Sequence, residues 1–162
     1  MREIHSQRQQ QIEAADASAM EEIGYILGRE CSEGALIYLQ GDLGAGKTTL
    51  VRGFLKGRGY PGRVKSPTYT LLEPYAFDQI SVFHFDLYRL KAAGELEGIG
   101  FRDYLDGKGI CLIEWPENAA TLLPDPDLHI RMDFAGPGRT LTLVPYTQAG
   151  RVLIDTILKT YR

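Results

Sequence analysis

The sequence predicts an α/β fold: three layers, with a mixed and partly parallel sheet between helices. Three observations lead there. Ala35-Leu36-Ile37-Tyr38-Leu39 is a continuous apolar run that passes into a glycine-rich turn at 41–46 and a helical stretch from Lys47. That is the order of a buried parallel strand feeding a helix. Ile110-Cys111-Leu112-Ile113 is a second such run, ending at Glu114. Two further pairs of strand-like segments flank short turns, which adds antiparallel hairpins to the sheet.

The chain of 162 residues suits one domain with a substantial core. Apolar residues at 44% and charged residues at 24% are ordinary for a globular protein, and the net charge of −3 gives no electrostatic case for non-specific nucleic-acid binding. Arg52, Lys56, Arg58, Arg63 and Lys65 form the one local basic cluster, either a patch or a solvated helix face and loop. No apolar run approaches the ~20 residues a bilayer span requires. The polar segment Met1 to Gln11 carries no apolar signal region, so a cytoplasmic location is expected, with no membrane contact. Cys31 and Cys111 read as separate buried thiols, and His5, His84 and His129 are not spaced as metal ligands.

In chain order, residues 1–15 are a polar N-terminal arm or edge strand, and 16–162 form a single domain. Asp16 or Ser18 caps a helix over about 19–31, whose apolar stripe is Met20, Ile23, Ile26 and Leu27; Glu21 and Glu22 are expected in its first turn. Ser32-Glu33-Gly34 ends it before the first apolar strand. A helix over about 47–55 and a basic loop over 57–67 follow. Thr68 to Tyr75 and Ser81 to Leu87 then read as a hairpin around Phe77-Asp78-Gln79. Leu90 to Leu105 is helical but interrupted by Gly94, Gly98 and Gly100. Pro116, Pro124 and Pro126 mark a surface excursion. Leu128 to Phe134 and Thr140 to Val144 pair around Gly136-Pro137-Gly138, and Val152 to Leu158 closes as a short helix.

Gly41-Asp42-Leu43-Gly44-Ala45-Gly46-Lys47-Thr48 matches G-x-x-x-x-G-K-[ST] at every required position. Glycines let the backbone curl around a polyphosphate so that N–H groups face it, and the next helix turns its positive end to the same anion. Gly41, Gly44, Ala45, Gly46, Lys47, Thr48 and Thr49 are therefore the candidate nucleotide cradle. Lys47 supplies charge to the β and γ phosphates, and the Thr48 hydroxyl ligates Mg²⁺. With apolar strand before and helix after, this makes the domain P-loop NTPase-like. Such a site needs a carboxylate at the end of a neighbouring strand. Glu114 fits, with a solvent-facing strand end as the alternative. Asp86 is the other candidate, as metal–water ligand, orienter of the attacking water, or outward-facing strand residue. Trp115 either shields the site or packs the core, and Tyr69 lies in a segment placed to respond to the γ phosphate.

Four blocks occur in order: Gly41 to Thr49, Ser66-Pro67-Thr68-Tyr69-Thr70-Leu71-Leu72-Glu73-Pro74-Tyr75, His84-Phe85-Asp86-Leu87-Tyr88-Arg89-Leu90, and Leu112-Ile113-Glu114-Trp115-Pro116-Glu117. Together, from about Asp16 onward, they resemble the bacterial TsaE (YjeE) family. The resemblance implies an ATPase that works with TsaB and TsaD to make N6-threonylcarbamoyladenosine at position 37 of tRNAs reading ANN codons. ATP binding and hydrolysis would reset the complex, while TsaD-type partners transfer the group from threonylcarbamoyl-adenylate. Carried over by motif, Lys47 binds phosphates, Thr48 and Glu114 hold Mg²⁺, and Asp86 supports metal or water. tRNA would be acted on through the complex.

Two other readings share the cradle. A small-molecule kinase needs an arginine-bearing lid; Arg58 and Arg63 are the nearest candidates, and the hairpin over 68–87 leaves little chain for one. A nucleotide-gated assembly subunit with negligible hydrolysis uses every residue of the same site. A GTPase needs N-K-x-D, which is absent from the sequence. No general base is identifiable.

Overall fold

A computed structural model describes residues 8–32 and 34–161. Seven strands form one sheet in the order β1-β7-β6-β2-β5-β4-β3. They are β1 (Gln10–Ala14), β2 (Leu36–Gln40), β3 (Leu72–Ala76), β4 (Ser81–Asp86), β5 (Ile110–Glu114), β6 (Leu128–Ala135) and β7 (Gly138–Pro145). The central β6, β2, β5 and β4 are mutually parallel, whereas β1–β7, β6–β7 and β3–β4 pair antiparallel. The helices are α1 (Ala17–Glu30), α2 (Lys47–Gly57), α3 (Ala93–Gly98), α4 (Phe101–Tyr104) and α5 (Gln148–Thr160), with a 3₁₀ turn at Pro116–Ala119. This is the mixed-sheet, three-layer α/β arrangement that the apolar runs imply.

The unbroken apolar runs follow from a sheet covered on both faces. Ile37, Leu39, Ile110 and Leu112 join the core under α1, α2 and α5. Their alternating neighbours Tyr38, Cys111 and Ile113 join a second core with Phe85, Leu96 and Phe101 on the opposite face. On the first face α1 and α2 approach closely through glycines. A Cβ on Gly24 or Gly28 would collide with the carbonyls of Leu50 or Phe54, and one on Gly53 or Gly57 with those of Glu21 or Tyr25.

Several boundaries differ from the sequence reading, each for a physical reason. Asp16 caps α1 by accepting from Ala19 N–H at 2.8 Å, so the helix starts at Ala17 and Glu21 and Glu22 lie beyond its first turn. Glu21 instead pairs with Lys56. Thr68 to Thr70 form a turn, not a strand, because Leu71 sits in the left-handed region at φ 68° with its N–H on Pro67 O. Strand β3 begins only at Leu72. Gly100, at φ 70°, separates α3 from α4. Thr147 caps α5 through Gly150 N–H at 3.2 Å, so the helix starts at Gln148, and it runs on to Thr160. Pro116 and Pro126 are buried, and only Pro124 of the three prolines is exposed. The basic cluster is partly structural: Arg58 donates to Gly28 O and Cys31 O at 3.1 and 2.6 Å, satisfying the end of α1. Cys31 and Cys111 are buried and unpaired, and burial pushes both thiols up to about 12. Residues 10–14 are the edge strand β1, while residues 1–7 lie outside the described residues, as does Glu33.

Candidate functional site

The glycine-rich turn joins the carboxyl end of β2 to the first turn of α2. Gly44 and Gly46 have φ of 81° and 111°, a backbone region that favours glycine, and Gly46 is the residue that starts α2. A Cβ on Gly41 would stand 2.9 Å from Met132 O and 3.0 Å from the Ala45 methyl. The curl is therefore built from the residue types the motif requires. Lys47 is only 5% exposed. Its ammonium donates to Gly41 O and to Asp42 O (3.0 Å) and lies 4.3 Å from the centroid of the Trp115 ring. Burial lowers its pKa, against the pull of Glu114, Asp86, Glu117 and Asp42.

The carboxylates come from neighbouring parallel strands. Asp86 ends β4, Glu114 ends β5, and the two face each other in register. Both are buried, at 5% and 2% exposure, which removes the outward-facing alternatives for each. Glu114 accepts from the Thr48 hydroxyl at 3.2 and 3.4 Å and from His84 Nε2 at 2.6 Å. Asp86 accepts from Tyr88 N–H at 3.0 Å and from the Thr68 hydroxyl at 3.3 Å. Burial raises the Asp86 pKa and Glu114 adds to the rise, while the Tyr88 N–H, His84 and Thr68 oppose it. Two buried carboxyl groups beside a threonine hydroxyl are hard oxygen donors. They suit Mg²⁺, which takes one or two carboxylates together with substrate phosphates.

These groups line a cleft of about 300 Å³ bounded by the glycine turn, Ser66, Thr68, Tyr88 and Trp115. Thr49 borders both this cleft and a recess of about 100 Å³ beside it, next to Asp16, Met20 and Arg139. A larger hollow of about 610 Å³ lies at the other end of the strands, around Phe77–Ile80 and Lys108. Ligands of parallel sheets bind at the carboxyl ends of the strands, and so the smaller cleft is the candidate site. Trp115 sits at φ 59° against Tyr88, ring centroids 5.0 Å apart, so it walls the cleft. Within the 66–70 segment it is Thr68 that reaches Asp86; Tyr69 is 81% exposed and stacks on Arg89 at 4.5 Å.

Two residues escaped the sequence reading. Arg139 donates to Ala45 O at 3.2 Å and Gly44 O at 3.1 Å, clamping the glycine turn from the β6–β7 hairpin. No motif marks it. His84 is fully buried beneath Glu114, and its Nδ1 has no partner among the described residues. An unsatisfied buried polar atom costs about 1–3 kcal/mol. The one clue in the sequence was its place two residues before Asp86, on the same face of a strand.

The family profile for "Threonylcarbamoyl adenosine biosynthesis protein TsaE" matches residues 14–140. The chain belongs to the TsaE family. The tRNA threonylcarbamoyladenosine biosynthesis protein TsaE of Haemophilus influenzae is 48% identical over 120 residues, covering 74% of this chain and 76% of that protein. The TsaE of a Nostoc species is 40% identical over 147 residues, covering 88% and 90%. The crystal structure of Bacillus subtilis YdiB superposes with a TM-score of 0.79 at 27% identity, covering 94% and 95% of the two chains. The TsaE match includes the glycine turn, Asp86 and Glu114, and it stops at Thr140, just past Arg139. No helix among the described residues is long and apolar enough to cross a membrane.

Proposed function

We propose that this TsaE-family chain is a Mg²⁺-dependent ATPase of the cytoplasm that acts in tRNA threonylcarbamoyladenosine biosynthesis. It works with TsaB and TsaD on adenosine 37 of tRNAs reading ANN codons, and hydrolysis resets the complex between turnovers. Residues from 16 onward, with β1 (Gln10–Ala14) completing the edge of the sheet, form the single ATPase domain, and tRNA is met through the complex. The observation that carries this reading is the convergence of Lys47, Thr48, Glu114 and Asp86 on one cleft at the start of α2.

The triphosphate tail enters the curl of 41–48, where the free N–H groups of the first turn of α2 face it. Lys47 exchanges the Gly41 and Asp42 carbonyls for β- and γ-phosphate oxygens. Thr48 and Glu114 hold the divalent cation, with Asp86 supporting the cation or its water. When bound, Mg²⁺ neutralises charge on the transferring phosphoryl group. Water displaces ADP from that group, and the turn's N–H groups with Lys47 stabilise the charge that develops. Because Thr49 borders both hollows, the nucleoside end occupies the recess by Asp16, Met20 and Arg139.

Among the described residues lining the cleft none is an arginine. Slow hydrolysis in isolation follows, with a partner supplying the missing charge. The same feature keeps a second reading open, a nucleotide-gated assembly subunit with negligible hydrolysis. Reconstitution with TsaB, TsaD, tRNA and threonylcarbamoyl-adenylate tests both. Multiple-turnover modification should require ATP and this chain, and Glu114→Gln should support a single turnover only. Full multiple turnover by that variant would leave gating without hydrolysis; modification independent of this chain would remove the role altogether.

A further inference from the structure

We propose that His84 is a positioning residue that fixes the Glu114 carboxylate, and through it the Thr48 hydroxyl, in the orientation that accepts the divalent cation. The proposal rests on the nucleotide–Mg²⁺ reading of this cleft. A carboxylate that is to hold a cation only accepts hydrogen bonds, and in that role His84 Nε2, at 2.6 Å, is the donor to Glu114 Oε2. Thr48 Oγ1 lies 3.2 Å from that oxygen and 3.4 Å from Oε1. Its proton therefore goes to Glu114, and its lone pairs are left for the cleft. The chain of direction is His84 to Glu114 and Thr48 to Glu114, with the carboxylate as the common hinge.

Burial makes this an ordering device and not a surface contact. His84 is 0% exposed and Glu114 2%. Oε2 is committed to the imidazole at 2.6 Å. Oε1, with only the longer Thr48 contact, is the oxygen that remains for a cation or its water. Packing alone does not account for a histidine at this position. Its Nδ1 has no partner among the described residues, a defect that a leucine or phenylalanine would not have. The fold accepts that defect on one ring nitrogen while using the other. His84 and Asp86 lie two apart on β4, and both face the same side as Glu114 on β5, so one strand carries a carboxylate and the donor that orients the neighbouring one.

The experiment uses the full chain as wild type, His84→Phe (no donor) and His84→Gln (an amide N–H in place of Nε2–H). Affinity for a non-hydrolysable ATP analogue is measured by calorimetry with Mg²⁺ and with EDTA. In wild type Mg²⁺ should tighten binding. His84→Phe should cut that gain by about tenfold while leaving the EDTA affinity unchanged, and His84→Gln should recover most of it. In parallel, ¹H–¹⁵N spectra of the nucleotide-free wild type should show the Nε2–H tautomer with Nδ1 bare. A full Mg²⁺ gain in His84→Phe, equal losses with and without Mg²⁺, or an Nδ1–H tautomer would each overturn the role of His84. A wild type that binds the analogue no better with Mg²⁺ would instead sink the metal reading beneath it. If His84→Phe fails to fold, His84→Gln and the tautomer decide the matter.

Discussion

The α1–α2 interface and the cleft at the head of α2 share a helix but are built on opposite terms. Between the helices, glycines at 24, 28, 53 and 57 let backbone approach backbone, and the side chains around them are apolar. At the cleft the fold buries Lys47, His84, Asp86 and Glu114, four of the five buried polar residues described. The first region is optimised for contact, the second for charge held out of water. Stability and ligand chemistry are thereby separated along one helix of 11 residues. A substitution should disturb one without the other.

The sharpest division comes from Lys47→Ala. It should abolish ATP binding and the modification activity that depends on it while the domain stays folded, as read by calorimetry and circular dichroism. Retained ATP affinity would mean that the buried ammonium is structural. The converse variant is Gly28→Ala, whose methyl meets the Phe54 carbonyl. Forcing α1 and α2 apart should cost about 1–3 kcal/mol in denaturant unfolding, with the folded protein's affinity for triphosphate alone unchanged, since α1 borders only the recess given to the nucleoside end. A loss of affinity there would show that the two regions are coupled.

A smaller effect concerns pH. Burial, with Glu114, holds the Asp86 carboxyl above its ordinary value of 3.8, so the native state keeps that proton longer than the unfolded chain. Its favourable contribution is present below the unfolded value and is lost as pH rises through the folded one. Asp86→Asn should therefore melt higher than wild type near neutral pH and show a shallower decline from acid to neutral. On the proposed reading it should also lose the stabilisation expected of wild type with Mg²⁺ and ATP. Melting curves across pH check both signs. The smallest change is expected from Tyr69→Ala, since an 81% exposed ring stacked on Arg89 should alter unfolding by no more than about 0.5 kcal/mol.

What was legible in the sequence follows the same division. The glycine turn, Lys47 and Thr48 form a contiguous motif whose backbone demands are local, and the two buried strands announce themselves as apolar runs. Glu114 was recognisable as a strand-end carboxylate, and Asp86 as a carboxylate within a strand that proves to end there. That they face each other depends on the β4–β5 register, which no local pattern carries. His84 becomes visible only once that register is known, and Arg139 only once the β6–β7 hairpin is folded against the glycine turn. The helix glycines are similar: a four-residue spacing within α1 has meaning only opposite the matching pair in α2. Leu71 misled the strand assignment because an apolar residue there occupies a left-handed turn that its side chain disfavours.

The central claim is that residues 41–48 cradle a triphosphate whose cation is shared by Thr48 and Glu114. A crystal structure with Mg²⁺ and a non-hydrolysable ATP analogue measures this directly. The expected result has the phosphates inside the turn, Lys47 moved from the Gly41 and Asp42 carbonyls onto them, and the cation at the Thr48 hydroxyl. Lys47 still bound to those carbonyls, with the nucleotide seated elsewhere, would contradict it.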